Sequence, residues 1–95
     1  LAGQDPLGWY NLGVVSYSSG QYQDAASALS QAASLQRNYA NALFVLALSY
    51  DKLGERAQAL SAMQQVVALN PDNATALSAL KNLQAGKPAL GPAKK

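Results

Sequence analysis

Enzyme chemistry in proteins relies mostly on histidine, cysteine and converging carboxylates, and this sequence offers few of these groups. The 95-residue chain has no His and no Cys, so it lacks the commonest general base, the commonest metal ligand and any thiol nucleophile. Its carboxylates are spread along the chain at expected helix caps, turns and helix surfaces: Asp5, Asp24, Asp51, Glu55 and Asp72. The sequence therefore predicts no catalysis, no cofactor and no metal site.

The charge distribution does not favour nucleic acid or a membrane as partner. The net charge of +2 arises in the tail, at Lys87, Lys94 and Lys95, since residues 1–86 carry four basic side chains against five acids. These lysines are a weak hint of an anionic partner, and a solvated terminus is the favoured interpretation. The longest apolar run, residues 42–48, is far shorter than the roughly 20 residues that cross a bilayer. The absence of Cys suits oxidising and reducing compartments alike.

An internal repeat of 34 residues organises the chain. A shift by 34 aligns seven identical pairs: Leu12/Leu46, Gly20/Gly54, Ala25/Ala59, Ser27/Ser61, Ala28/Ala62, Gln31/Gln65 and Leu35/Leu69. A second shift aligns residues 40, 42, 43 and 46 with residues 74, 76, 77 and 80. The predicted organisation is a lead-in at 1–5, a first repeat at 6–39, a second at 40–73, a C-terminal capping helix at 74–86 and a flexible tail at 87–95.

Apolar spacing and helix-stop residues divide each repeat into two helices. The pattern predicts helices over about 6–19, 23–36, 40–53, 57–69 and 74–85. Asp5 is a plausible cap before Pro6, and Asp72 or Asn73 is a plausible cap for the last helix. The tail KPALGPAKK contains two Pro and one Gly, which favours disordered or extended chain. The sequence opens at Leu1 and has Met63 as its one methionine, which suggests a piece of a longer protein.

These residues resemble the tetratricopeptide repeat family, whose 34-residue unit is a helix–turn–helix with a W-x2-L-G-x2-Y pattern. The first repeat offers Trp9, Leu12, Gly13, Gly20 and Ala25, and the second matches at Leu43, Leu46, Ala47, Tyr50, Gly54, Ala59, Met63 and Pro71. Departures are Ser16 in place of Tyr and Arg37 in place of the closing Pro. The resemblance implies an all-α, right-handed superhelical array of about two and a half helical hairpins. Trp9, Leu12 and Gly13 would then meet the second helix, and the composition resembles bacterial members.

The resemblance also implies a concave groove, lined by the first helix of each repeat, in which this family binds peptides or partner helices. The matching partner-binding positions are Tyr10, Asn11, Val14, Tyr17, Asn41, Phe44, Val45, Leu48 and Asn82. The same surface includes Asp51, which beside Lys52 is interpreted as a solvated turn charge, as is Glu55 beside Arg56. Tyr10, Val14 and Tyr17 recur at steps of four and three, which independently puts them on one helix face. The alternative is that Tyr10 and Phe44 only pack on adjacent first helices.

The groove positions indicate the chemistry of the partner. Where some family members grip a terminal carboxylate with cationic and amide side chains, this sequence has Tyr10, Val14, Val45, Thr75 and Ala79. We therefore expect an apolar or amphipathic peptide or helix, with Asn11, Asn41 and Asn82 orienting its backbone. The competing interpretation is an architectural or self-association domain whose groove is filled by its own parent chain or by a second copy. Either a second copy or further parent-chain residues would also cover the N-terminal end, since about three repeats are normally needed for stability.

Overall fold

The computed structural model describes residues 5–91, and that part of the chain forms helices joined by short turns, without a strand. The five helices are α1 (Pro6–Ser18), α2 (Tyr22–Leu35), α3 (Ala40–Lys52), α4 (Arg56–Leu69) and α5 (Ala74–Gln84). The predicted all-α fold of five helices is confirmed, and the predicted boundaries differ by one residue at most helix ends. The lead-in residues 1–4 and the last residues, 92–95, lie outside the described part of the chain.

Side-chain caps begin the two outer helices. Asp5 Oδ1 accepts a hydrogen bond from the Leu7 N–H at 3.1 Å, with Pro6 in the first helical turn. At α5 the cap is Asn73, whose Oδ1 accepts from the Ala76 N–H at 3.1 Å. Such bonds satisfy backbone donors that have no partner inside the helix. Of the two candidates for the α5 cap, the structure selects Asn73.

Each first helix ends in the same reversal of the chain. Gly20 and Gly54 follow α1 and α3 with φ of +80° and +79°, a conformation that is cheap only for glycine. The Gln21 N–H then donates to the Ser16 carbonyl, and the Glu55 N–H donates to the Tyr50 carbonyl, both at 2.8 Å. This pair of features defines a Schellman end. The repeated glycines in the sequence therefore mark the turn inside each hairpin.

The link between the repeats is made without proline. Asn38, between α2 and α3, has a φ of +61°, and asparagine is one of the few residues that tolerate the left-handed region. Helix α2 ends at Leu35, and Gln36 is already extended with φ of −127° and ψ of 111°, so the helix stops before position 37 without the closing Pro of the family pattern.

The helices pack as consecutive antiparallel hairpins. The contacts pair α1 with α2, α2 with α3, α3 with α4 and α4 with α5, and α1 also contacts α3. The first helices run in the same direction. Tyr10 near the start of α1 contacts Tyr39 just before α3, while Tyr17 near the end of α1 experiences the charge of Asp51 near the end of α3.

The core lies between α2, α3, α4 and α5 and contains many alanines. Its largest fully buried side chains are Leu29, Met63, Leu83 and Val66. Alanines at 0–2% exposure lie between them, which lets the helix backbones approach closely: Ala25, Ala28, Ala32, Ala42, Ala47, Ala59, Ala76 and Ala79. The buried Ser49 hydroxyl donates to the Val45 carbonyl at 2.9 Å, so this polar group is satisfied within its own helix.

Helix α1 is much less buried than its counterpart α3. Only Gly13 and Ser16 of α1 are buried, while Leu12 is 42% and Val15 62% exposed. Leu12 lines a cavity together with residues of α2, so it borders the interface expected from the sequence but is only partly covered. Its repeat counterpart Leu46 is 6% exposed, because α3 has the preceding hairpin on one side and α4 on the other. No described helix precedes α1, so the same residue type stays in contact with solvent.

Gly13 of α1 lies directly against Leu29 of α2. A Cβ atom added to Gly13 would lie 2.4 Å from Leu29 Cγ, and the Leu29 side chain is fully buried. The absence of a side chain at position 13 therefore sets the distance between the two helices of the first hairpin, as the sequence predicts.

We predict that Gly13→Ala lowers the free energy of unfolding by up to about 2 kcal/mol, because an overpacking cost of about 1–3 kcal/mol opposes a helix-propensity gain of about 1 kcal/mol. In a Leu29→Ala background the clash is absent, so the same change should stabilise the fold by about 0.5–1 kcal/mol. Urea unfolding followed by far-UV circular dichroism measures both values. An equal cost of Gly13→Ala in the two backgrounds contradicts the proposed contact.

Candidate functional site

The acidic side chains of the described residues lie apart from one another. Residues 5–91 contain no group of three or more His, Cys, Asp or Glu side chains arranged to hold a metal ion. Within the same residues, no helix combines the length and the apolar character needed to cross a bilayer. The candidate site is the surface formed by the first helices α1, α3 and α5.

Two tyrosines of α1 predicted to bind a partner have aromatic partners within the fold. The rings of Tyr10 and Tyr39 have centroids 5.4 Å apart at 34°, and those of Tyr17 and Tyr22 are 5.3 Å apart in an edge-on arrangement at 62°. Tyr10 and Tyr17 are half-buried and pack against the hydrophobic core. Both residues therefore help to hold α1 in place.

The environment of Tyr17 disfavours its ionised form. Burial raises the pKa of the Tyr17 phenol above its ordinary value of 10.0, and the neighbouring Tyr22 and Asp51 raise it further. Burial also raises the pKa of Tyr39, with smaller contributions from Tyr10 and Asp5. A desolvated phenol beside a carboxylate keeps its proton, so Tyr17 presents a neutral hydroxyl near Asp51.

Two of the predicted residues on α3 line a common cavity. Asn41 and Phe44 bound a cavity of about 200 Å³, together with Ala40, Val66, Asn70, Asn73 and Thr75. Phe44 is half-buried against the core and Asn41 is exposed. The cavity thus joins an aromatic side chain to several amides that can donate and accept hydrogen bonds.

A second cavity follows α5. It has a volume of about 280 Å³ and is lined by Ala74, Thr75, Ser78, Ala79, Asn82, Ala89 and Leu90. Thr75 lines both cavities, so they adjoin each other, one at the start of α3 and the other along α5. We call the surface formed by these two adjoining cavities the α3–α5 groove. None of the residues that line it is cationic.

The chain after α5 closes one end of this groove. The sequence predicts a flexible tail from residue 87, but the described residues 87–91 fold back onto the helices. The Lys87 N–H donates to the Asn82 carbonyl at 2.8 Å, and the Gly91 N–H donates to the Pro88 carbonyl at 2.9 Å. Residues 88–91 therefore form a turn, and Ala89 within it is 1% exposed. We call residues 88–91 the C-terminal hook.

Two side chains of the first helices hold the backbone of the hook. The Ala89 N–H donates to Asp51 Oδ2, and the Asn82 Nδ2 donates to the Ala89 carbonyl, both at 2.9 Å. Asp51 is therefore more than the solvated turn charge inferred from the sequence. The repeat pattern places Asp51 on the first-helix face. Its hydrogen-bond partner, the Ala89 N–H, depends on the path of the chain after α5. A Pro and a Gly three residues apart, at positions 88 and 91, indicate a turn that the sequence prediction missed.

The remaining predicted site residues differ in accessibility. Asn11 is exposed, Val14 and Val45 are half-buried, and Leu48 is 6% exposed and belongs to the core. Leu48 offers almost no surface to a partner, because it is packed on the inner side of α3. The structure brings Asn41 and Phe44 together at one end of the α3–α5 groove and Asn82 at the other end.

Arg56 also forms a hydrogen bond between two helices that the sequence prediction missed. Its Nη1 donates to the Leu83 carbonyl at 3.3 Å, although it was expected to be a solvated turn charge beside Glu55. The start of α4 therefore adds a second donor to a carbonyl at the end of α5, which also accepts from the Gly86 N–H at 3.1 Å. This contact helps fix the end of α5, from which Asn82 reaches the hook.

Comparison with known proteins agrees with the repeat pattern and the hairpin architecture. A sequence profile of the tetratricopeptide repeat matches residues 16–85, which is most of the chain. Among curated proteins, none matches the chain significantly.

We predict that alkali destabilises the fold in part through Tyr17. Its folded pKa is raised, so the unfolded state loses the phenolic proton at lower pH than the folded state. The contribution to stability is fully present below the unfolded pKa and is lost as the pH rises through the folded pKa. Tyr17→Phe cannot ionise and should lose stability less steeply than wild type between pH 9 and about 11. Urea unfolding at several pH values measures this, and parallel profiles would exclude the effect.

Proposed function

We propose, because the chain belongs to the tetratricopeptide repeat family of protein-interaction modules, that it binds an apolar or amphipathic peptide or helix along its first-helix surface. The observation that carries the proposal is the α3–α5 groove, which is lined by Phe44 and small side chains. A groove with an aromatic wall and few charges suits a ligand held mainly by burial. Repeats of this family are typically non-catalytic scaffolds, and the proposal assigns no reaction to the chain.

The chemistry of the groove supports an apolar ligand over a charged one. Its lining combines Phe44, Val66, Ala79 and Leu90 with the amides of Asn41, Asn70, Asn73 and Asn82. Without a cationic residue in this lining, a ligand carboxylate would lose its hydration without a counter-charge, which is costly. Amide side chains can instead pair with the backbone of a bound segment, as Asn82 does with Ala89.

We predict that Phe44→Ala weakens binding of an amphipathic helix about tenfold or more, because truncating an aromatic anchor typically costs at least about 1.4 kcal/mol. The assay is fluorescence anisotropy with a panel of labelled amphipathic helical peptides of about 15 residues. Val14→Asp should also weaken binding, since it places a charge on the predicted binding face of α1.

Val15→Asp is the matched control for Val14→Asp, because it introduces the same charge one residue away. Val15 is 62% exposed, and one helical step turns its side chain by about 100° from that of Val14. Each variant is first checked for wild-type helicity by circular dichroism. The proposed groove is contradicted if Phe44→Ala and Val14→Asp bind every peptide as tightly as wild type does. It is also contradicted if Val15→Asp loses as much affinity as Val14→Asp.

A self-association role is the alternative, and the exposed surface of the first hairpin favours it. Trp9 and Leu12 line a cavity of about 330 Å³ with residues of both helices: Ser16, Gln21, Asp24, Ser27 and Ala28. Leu12 and Val15 are largely exposed, and each repeat of a helical array stabilises its neighbours by covering such a face. In this alternative a second copy covers the face, and the domain assembles larger units.

The alternative predicts a concentration-dependent dimer that Leu12→Asp dissociates, because a charge on a covered apolar face lacks a partner. Light scattering and sedimentation equilibrium from about 1 to 100 µM measure the mass, at concentrations that span typical micromolar affinities. Phe44→Ala serves as the control, since it alters the groove and leaves this face unchanged. A wild-type chain that is monomeric and unfolds cooperatively over the whole range would remove the basis of this alternative.

A further inference from the structure

The packing of the C-terminal hook is unusual for a segment outside the helices. Ala89 is 1% exposed, while the much larger apolar side chain of Leu90 is 59% exposed. If apolar burial alone guided this segment, the leucine would be the residue in contact with the core, since burying it contributes more. The position of the hook is therefore set by something other than side-chain hydrophobicity.

The hydrogen bonds to Ala89 supply that determinant. Asp51 accepts from its N–H and Asn82 donates to its carbonyl, so one acceptor and one donor satisfy both polar groups of the same residue. A carboxylate can only accept and the amide nitrogen can only donate, so the pair is complementary to a peptide backbone. The bond to the carboxylate is the stronger kind, because its acceptor is ionised.

The pair is not a product of the repeat pattern. Asn82 aligns with Leu48 under the shift of 34, and Asp51 aligns with Ala85, so no second pair of this kind arises from equivalent positions. The two side chains come from the ends of α3 and α5. They meet at Ala89 because those helix ends lie at the same side of the array.

The surroundings of Ala89 limit which residue can be held there. Its methyl group is almost fully buried, and Ala79, at 1% exposure, lines the adjoining groove. Because Ala89 is almost fully covered, a larger side chain at this position would have to move the residues that cover it. The turn from Pro88 to Gly91 presents this small residue toward the helices and directs Leu90 outward.

We propose that Asp51 and Asn82 form a peptide-backbone site selective for a small residue, and that the chain's own C-terminal hook is its ligand. This inference deepens the proposed function, since the site forms one end of the α3–α5 groove. A partner segment that extends along α5 to this end must displace Ala89. The hook thus acts as an intramolecular ligand that shortens the accessible groove.

The test transfers the hook to a separate peptide. In the full chain, Ala89→Arg introduces a side chain too large for the site and should expel the hook, leaving Asp51 and Asn82 free. The probe is the acetylated and amidated peptide Lys-Pro-Ala-Leu-Gly, and the reporter is the Asn82 side-chain amide in nitrogen–proton NMR spectra. We expect the peptide, at concentrations on the order of millimolar, to return the Asn82 signals of Ala89→Arg to their wild-type positions.

Matched controls define the site. Leu90→Arg places the same charge on the adjacent exposed residue, so its Asn82 signals should stay wild-type and ignore the peptide. Wild type should also ignore the peptide, because its site is occupied. The response of Ala89→Arg should be lost when Asp51→Ala is added, and a peptide with Val in place of Ala should bind at least tenfold more weakly.

The proposal is overturned if Asn82 signals are unchanged by Ala89→Arg, or if the peptide shifts them equally in wild type and in all variants. Should Ala89→Arg lose helicity, Asp51→Ala alone gives the decisive reading. The Ala89 amide should exchange with solvent at least tenfold faster in that variant than in wild type, and unchanged exchange rejects the site. This experiment uses no amphipathic ligand, so its outcome does not depend on the Phe44→Ala binding assay. The backbone site and the proposed groove function can therefore fail separately.

Discussion

Close packing of helices through small side chains is the constraint on which this structure depends. Gly13 lets α1 lie directly against Leu29, and alanines at nearly zero exposure do the same between the later helices. Because these contacts are short, the hairpins stack with little freedom in their spacing. The first helices are thereby held side by side and parallel, and the α3–α5 groove exists because of that alignment.

A stacked array covers its interior hairpin on both sides and its end hairpins on one side only. Leu46 and Leu12 occupy the same repeat position, yet Leu46 is 6% exposed and Leu12 is 42% exposed. At the other end, α5 is covered by α4 and by the hook, which buries Ala89. In the described part of the chain the hook therefore covers part of the C-terminal end, while large apolar side chains stay exposed on the N-terminal face.

The polar side chains at the ends of the helices connect this architecture to recognition. Arg56 donates to a carbonyl at the end of α5, Asn82 reaches from the same end to the hook, and Asp51 completes the contact from α3. Sequence reasoning assigned Asn82 to backbone recognition in the groove but treated Asp51 and Arg56 as solvated charges. Each has a residue of opposite charge next to it in the sequence, which favoured a surface role. In the structure each instead forms a hydrogen bond with a segment far along the chain.

The sequence by itself determined the five helices, their ends and the family, because those features depend on local properties that recur every 34 residues. Glycines at positions 20 and 54, caps at positions 5 and 73 and apolar residues at helical spacing each act within a few residues of their own position. The sequence also placed Asn41 and Phe44 on a first-helix face. Only the tertiary structure decided that Leu48 is buried, that Leu12 is exposed and that Ala89 is held between Asp51 and Asn82. Burial depends on which helices lie on either side, and the hook depends on where the chain returns, so neither is encoded in local spacing.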